Sequence, residues 1–420
     1  MAALRALASA VRQILGPETK ISYAADWSEY AGFTPEGTED WIFHLDPLWA
    51  DEAVDFIGID HYLPLSDWRE GDDHLDAHWG SVHDVDYLKA NIEGGELFDW
   101  YYHSDQARAA QIRTPITDGA HGEPWIWRTK DIRSFWSHAH YDRIGGQRQA
   151  TPTPWLPQSK PIWFTELGCA AVDKGTNQPN RFVDPKSSET GLPHFSTGRR
   201  DDLMQMQYLR AMLSYWGDPA KNPVSALTGQ RMVDMDRAHV WAWDARPWPW
   251  FPNALSAWAD GGNYARGHWV TGRASARSLA GVVQEICARS GVHDADVSDL
   301  RGLVWGYTEQ GGGTARQALQ PLMLRYGFDA VERDGVLRFV MRSGRVVADI
   351  DPGVLCQGKE LTGLEEQRAA QAETMGRVRV QFIEQGGDFA AVTEEAVRPG
   401  DGSDVTSGQE LRLALLRGEG

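Results

Sequence analysis

Cysteine is scarce in these 420 residues: Cys169, Cys287 and Cys356 stand far apart, without CxxC spacing. That excludes a disulfide framework or a zinc ribbon as the organising device. Long apolar runs are missing too, and no stretch approaches the roughly 20 residues a membrane helix requires, so no membrane span is expected. Positive charge is short: 41 Lys and Arg stand against 59 Asp and Glu, a formal charge of −18. A phosphate backbone is held by clustered cations, so direct nucleic-acid binding is not expected. His138-Ala-His140 with Asp142 comes nearest to a metal-ligand pattern but has no third ligand at a fixed spacing; no metal and no cofactor is expected. The glycine triplet Gly311 to Gly313 lacks the Lys-Ser/Thr of a phosphate loop and reads as a hinge.

Tryptophan, by contrast, is abundant at 19, with 12 Tyr and 13 Phe beside it. Several, including Trp125, Trp127, Trp136, Trp155, Trp248 and Trp250, sit among Pro, Gly, Asp and His in loop-like sequence. Such rings either pack a large loop region or stack on the flat apolar faces of sugars. The remaining balance, 42% hydrophobic and 24% charged, is that of a globular protein with room for two or three domains.

The first two-thirds of the chain repeats one pattern, an apolar run ending in polar residues followed by a helical stretch. Ile21 to Ala25 leads into Asp26-Trp27-Ser28-Glu29, Val54 to Ile59 into Asp60-His61-Tyr62, Pro161 to Thr165 into Glu166, and His239 to Trp243 into Asp244. Near-continuous apolar strands alternating with helices predict a parallel sheet, and polar residues gathered at strand C-termini mark its functional edge. Met1 to Leu15 carries Arg5 and Arg12 and superficially resembles a targeting segment. It reads instead as an amphipathic helix, with Leu4, Leu7, Val11, Ile14 and Leu15 on one face packed against the sheet, and no signal peptide is expected. Between the second and third strands lies a segment of about a hundred residues, far beyond the usual loop of ~2–6; a helix is expected near Asp86 to Ala110. Asp201 to Trp216 is the clearest helix, with Leu203, Met206, Leu209, Met212 and Leu213 on one face. Four strand units do not close an eight-stranded barrel, and the preceding units are expected upstream of Met1.

After about Gly272 the character changes. A helix over Ser275 to Arg289, a strand-like run over Leu303 to Thr308, and a helix capped by Thr314 and running through Tyr326 are expected. A hairpin turning at Asp334-Gly335 follows. Glu360 to Met375 reads as partly helical, Arg377 to Ile383 as a strand, and Gly400 to Gly420 as polar and unpatterned, cut inside a longer unit.

The runs Val54 to Tyr62, Lys160 to Gly168 and Val240 to Asp244 resemble strands six, seven and eight of retaining glycosidase barrels. More closely, they resemble the barrel-like domain of the large tail protein, the megatron or host-specificity protein, of gene transfer agents and related phages. Leu303 to Thr308, Tyr326 to Val331 and Asp334 to Phe339 are similar to the tail-hub module that follows that barrel. The resemblance implies an α/β fold holding about the last four β/α units of a (β/α)8 TIM barrel at 1–270. A smaller α+β tail-hub module would follow at 271–350, and a partial β-containing segment at 351–420.

The resemblance also implies a site. Glu166, at the end of strand seven, occupies the place of a retaining nucleophile, whose chemistry needs a second carboxyl about 5 Å away as acid and base. That partner ends strand four in the glycosidase pattern, which this chain lacks. Glu123, in Gly122-Glu-Pro-Trp125, superficially resembles the strand-four motif, but it lies between strands six and seven. Asp26, Trp27, Asp60, His61, Tyr62 and Trp243, at the strand ends, are the candidates for substrate contact, and Trp241 falls on the same side of strand eight as Trp243. The implied function is that of a tail-hub component whose glycoside hydrolase-like barrel contacts or cleaves cell-envelope glycan, such as peptidoglycan, during host recognition or DNA delivery. The alternative is an inactive scaffold or glycan-binding domain. Implied partners are other tail and baseplate subunits, the surface glycan and further copies of the chain in a homo-oligomer, within a tail particle assembled in the bacterial cytoplasm.

Overall fold

The computed structural model describes residues 1–184, 187, 190–247, 250–271, 276–309, 313–342, 344, 346, 348–354, 376–384 and 390–397, and the backbone of 408–417. Of the sequence expectations, Trp248, Gly311, Gly312, Cys356 and the helical stretch 360–375 lie outside the described residues. The chain divides into two compact units, Met1–Arg273 and Ala274–Gly420.

The first unit is built on three parallel strands, β1 (Ala24–Asp26), β2 (Ile57–His61) and β3 (Ile162–Leu167), hydrogen-bonded in that order. Ile57, Ile59, Ile162, Phe164 and Leu167 are fully buried, as strands covered on both faces require. The expected fourth strand does not form regularly. Val233 bridges Ile162 and Val240 bridges Leu167, so seven residue steps on one side must span five on the other. The surplus is taken up by a 3₁₀ turn at Met235–Arg237, which lifts the chain off the ladder. The sheet is therefore open among the described residues, and mixed α/β content with three parallel strands replaces the four expected strand units.

Two helices lie differently from expectation. Helix α1 (Ala2–Leu15) packs through Leu4 and Ala8, while Leu7, Ile14 and Leu15 are exposed. The contact stripe follows the small Ala8, which lets the helix approach closely, rather than the row of large side chains. The long insertion contains no single helix over 86–110. Helix α2 (Val85–Ala90), capped by the Asp84 carboxylate, stops before Gly94 and Gly95, and Gly95 turns the chain at φ +71°.

Helix α3 (Asp202–Gly217), capped by Asp201, covers the sheet with Met204, Tyr208, Ala211, Met212 and Trp216. Leu213, expected inside, is exposed. The stripe carrying Tyr208 and Trp216 buries more area than the Leu203–Leu213 stripe, and this decides which face turns inward. The polar members of that face are satisfied: Gln205 Nε2 donates to the carbonyls of Cys169 and His268, Gln207 Nε2 to that of His83.

The second unit follows its local signals closely. Helix α4 (Leu279–Arg289) is capped by Ser278, and helix α5 (Ala315–Tyr326) opens with a Thr314/Gln317 capping box and closes on Gly327 at φ +68°. Strands β4 (Phe328–Arg333) and β5 (Val336–Met341) pair antiparallel around Asp334 and Gly335, both at positive φ. Leu279, Val283, Leu322, Phe328 and Phe339 form its core. Of the run 303–308 only Leu303–Val304 is strand. A separate sheet places β6 (Arg377–Glu384) between antiparallel β7 (Ala390–Val397) and parallel β8 (Gly408–Arg417). The last strand corrects the expectation of an unpatterned stretch over Gly400 to Gly420.

Candidate functional site

Each of the three parallel strands carries a carboxylate at its C-terminal end. Register sets Asp26 opposite Asp60, and a bulge after Ile59 skips Thr165 so that Asp60 faces Glu166. Without that bulge Thr165 would oppose Asp60 and the row would be broken. Neighbouring strands lie about 4.8 Å apart, so the three acids sit in adjacent positions across the functional edge.

Their partners are almost all neutral hydroxyl and amide groups. The Tyr62 hydroxyl donates to Glu166 Oε2 at 2.7 Å, and the Thr165 hydroxyl to Asp60 Oδ1 at 2.8 Å. Asp26 Oδ1 accepts from the Ser28 hydroxyl at 2.5 Å and from its N–H at 2.9 Å. Burial pushes the Glu166 carboxyl above the usual carboxylate range, with Asp60 and Asp26 adding to the shift and the Tyr62 hydrogen bond opposing it. Burial, together with the charge of Asp26, raises Asp60 as well, against the Thr165 bond. A carboxyl so placed can hold a proton closer to neutrality than a solvated one, which suits proton transfer, whereas nucleophilic attack would use its ionised form.

The row borders a cleft of about 420 Å³ lined by Asp26, Trp27, Ser28, Tyr62, Glu166, Asn180, Phe182, Trp241 and His268. One wall is a run of edge-on rings: His268 meets Tyr62 at 5.6 Å and Phe182 at 5.1 Å between centroids. Its Nε2 donates to the Pro179 carbonyl at 2.8 Å, holding the ring in place. Trp241 reaches the cleft because Gly168 yields to it. A Cβ at that position would lie 2.6 Å from the Trp241 carbonyl oxygen.

The cleft thus brings together Asp26, Trp27, Tyr62 and Glu166, with Asp60 beside them in the sheet. It does not include His61 or Trp243. Strand alternation turns His61 to the opposite side from Asp60, where it is buried against Phe164 at 4.8 Å and burial depresses its pKa to about 3. Trp243 is exposed, because the chain leaves the sheet after a single bridge at Val240 and Ala242 bonds to the His268 carbonyl instead. Period-two alternation therefore does not carry from Trp241 to Trp243. Glu123 is held by Arg143 and Arg148 at 2.9 Å each, and His140 is buried between Asp46 and the Phe135 carbonyl. Asn180, Phe182 and His268 had no sequence signal, since they arrive on loops from 14 to 102 residues beyond Glu166. Trp49, Trp125, Trp136, Trp155 and Trp216 are buried in the core, whereas Trp27 and Trp241 line the cleft.

Comparisons with known proteins follow the division of the chain. The gene transfer agent TIM-barrel-like domain family matches residues 1–252, and a phage tail protein family matches residues 314–420. Among solved structures, a chain from the virion of a native gene transfer agent particle is 52% identical, with a TM-score of 0.35, over 38% of this chain and 36% of that chain. No curated protein matches. Since the first family spans more than half of the residues, the chain belongs to the gene transfer agent TIM-barrel-like family and carries a phage tail domain behind that region.

Proposed function

We propose that the protein is a tail component of a gene transfer agent-like particle and that the cleft beside Glu166 contacts cell-envelope glycan during host recognition or DNA delivery. The observation that carries this reading is the cleft itself. A row of strand-end carboxyls with no cationic partner among the described residues, walled by aromatic rings, matches what sugar recognition and glycosidic bond chemistry require. Aromatic faces hold the apolar side of a pyranose, while carboxylates accept its hydroxyls. In turnover Glu166 would attack the anomeric carbon while a second carboxyl protonates the departing glycosidic oxygen, or would itself supply that proton, with Tyr62 orienting it. Asp26 and Asp60 are the carboxyls within reach as a second group, and the geometry equally serves binding without cleavage. The phage tail domain supports a particle rather than a metabolic setting, with other tail subunits and further copies of the chain as partners.

The test is binding and reducing-sugar release on purified peptidoglycan and host polysaccharide by the wild type and Glu166→Gln. Binding by both proteins with release by the wild type alone establishes a hydrolase. Binding by both with no release establishes a glycan-contact domain, and absence of binding to any envelope glycan removes the reading.

A further inference from the structure

The cleft has a charge character that narrows its ligand. Among the described residues no Lys or Arg lines it, and none forms an ion pair with Asp26, Asp60 or Glu166. Elsewhere in the same unit several buried or partly buried acids are matched by guanidinium groups, as Glu96 is by Arg108, Glu93 by Arg133 and Asp67 by Arg113. The cleft instead combines carboxylates at its base with Trp27, Tyr62, Phe182 and Trp241 around it.

Uncompensated carboxylates beside aromatic faces form a cation-selective surface, because the acids supply Coulomb attraction and the ring quadrupoles favour positive charge. The same surface repels a uronate or any acidic sugar, whose desolvated carboxylate would meet like charge. A hydroxyl-only sugar is accepted but leaves the charge of the row unanswered.

Resting on the glycan-contact reading above, we propose that this cleft selects glycan bearing a free amine, a de-N-acetylated amino sugar whose ammonium sits between the Asp26 and Glu166 carboxylates and the aromatic wall.

The experiment measures equilibrium binding by calorimetry to three oligosaccharides of equal length: a glucosamine oligomer, its fully N-acetylated form, and an oligogalacturonate. N-acetylation removes the charge and adds an acetyl group, so this pair is read together with a variant that removes a carboxylate charge from the cleft. The expected result is at least tenfold tighter binding of the glucosamine oligomer than of its acetylated form, with no binding of the uronate. That ratio should fall several-fold in Asp26→Asn, a near-isosteric change at an exposed position whose folding is checked by circular dichroism. It should also fall in Trp27→Ala. Because the whole chain is strongly acidic, a ratio that persists unchanged in both variants would assign the preference to general surface charge and overturn the proposal. Equal binding of the two glucosamine forms would overturn it while leaving glycan contact intact. Failure of all three oligomers would overturn both.

Discussion

Two acidic regions of the first unit make an instructive pair. In the long insertion, Asp67 and Asp76 are both held by Arg113 at 2.9 Å, Tyr87 donates to Asp76, and Arg113 lies over the Trp100 ring at 4.3 Å. At the sheet edge, Asp60 and Glu166 are half-buried and Asp26 is exposed, and among the described residues the three receive Ser, Thr and Tyr hydroxyls and one backbone N–H. The first arrangement neutralises charge and fixes a hundred-residue excursion that has little regular structure. The second leaves charge available, at the expense of mutual repulsion. Among the described residues, the carboxylates of the insertion are held by guanidinium groups and those of the site are not.

The comparison is broken most severely by removing a cation from the insertion. Arg113→Ala removes a cation shared by two buried carboxylates, leaving Asp67 its ion pair with Arg69 and Asp76 the Tyr87 hydroxyl, and a stability loss of about 3 kcal/mol is expected in denaturant unfolding; a loss under about 1 kcal/mol would show that the network is dispensable. Asp173 gives the next effect. Burial alone would raise its pKa, but the Lys174 ammonium and the Thr197 and Ser196 donors reverse this and hold it near 2. A depressed folded value means the unfolded chain binds the proton more readily, so this stabilisation is present above the unfolded carboxylate range and fades as pH falls toward about 2. Asp173→Asn should therefore destabilise at neutral pH and flatten the acid limb of a stability–pH profile.

Glu166 is expected to behave oppositely. Its raised pKa means the folded state binds the proton more tightly, so burial of its charge, with repulsion from Asp60 and Asp26, costs stability at neutral pH and is relieved on acidification. Glu166→Gln should leave stability within about 1 kcal/mol of wild type at neutral pH while removing any turnover, and a loss above about 2 kcal/mol would make Glu166 a structural partner instead. The smallest effect is that of Tyr62→Phe, which removes the one hydrogen bond lowering the Glu166 pKa. Carboxyl carbon NMR titration should show Glu166 moving further upward, and a downward shift would remove Tyr62 from its orienting role.

The legible part of this site is the part that strand periodicity writes. Asp26, Asp60 and Glu166 each terminate an apolar run, and parallel register then aligns them whatever the loops do. His61 shows the limit: its place in the run is clear, but alternation sends it into the core. Trp243 shows another, because a three-residue alternation predicts a face only if the segment stays in a ladder. The apolar stripes of α1 and α3 were misread for a related reason. Residue type alone favours rows of Leu, whereas close approach at Ala8 and the large rings of Tyr208 and Trp216 set the buried face.

By itself the sequence determined the parallel strands, the caps and turns of the second unit, and the carboxylates at the functional edge. These depend on backbone geometry within a few residues, where a Thr-x-x-Gln box or an Asp-Gly pair has few alternatives. Only the tertiary structure decided that a bulge aligns Asp60 with Glu166, and that Asn180, Phe182, Trp241 and His268 close the cleft. It also decided that, among the described residues, no guanidinium pairs with the row. Those outcomes rest on contacts between residues tens of positions apart, whose formation depends on which packing excludes most water, a quantity no local pattern encodes.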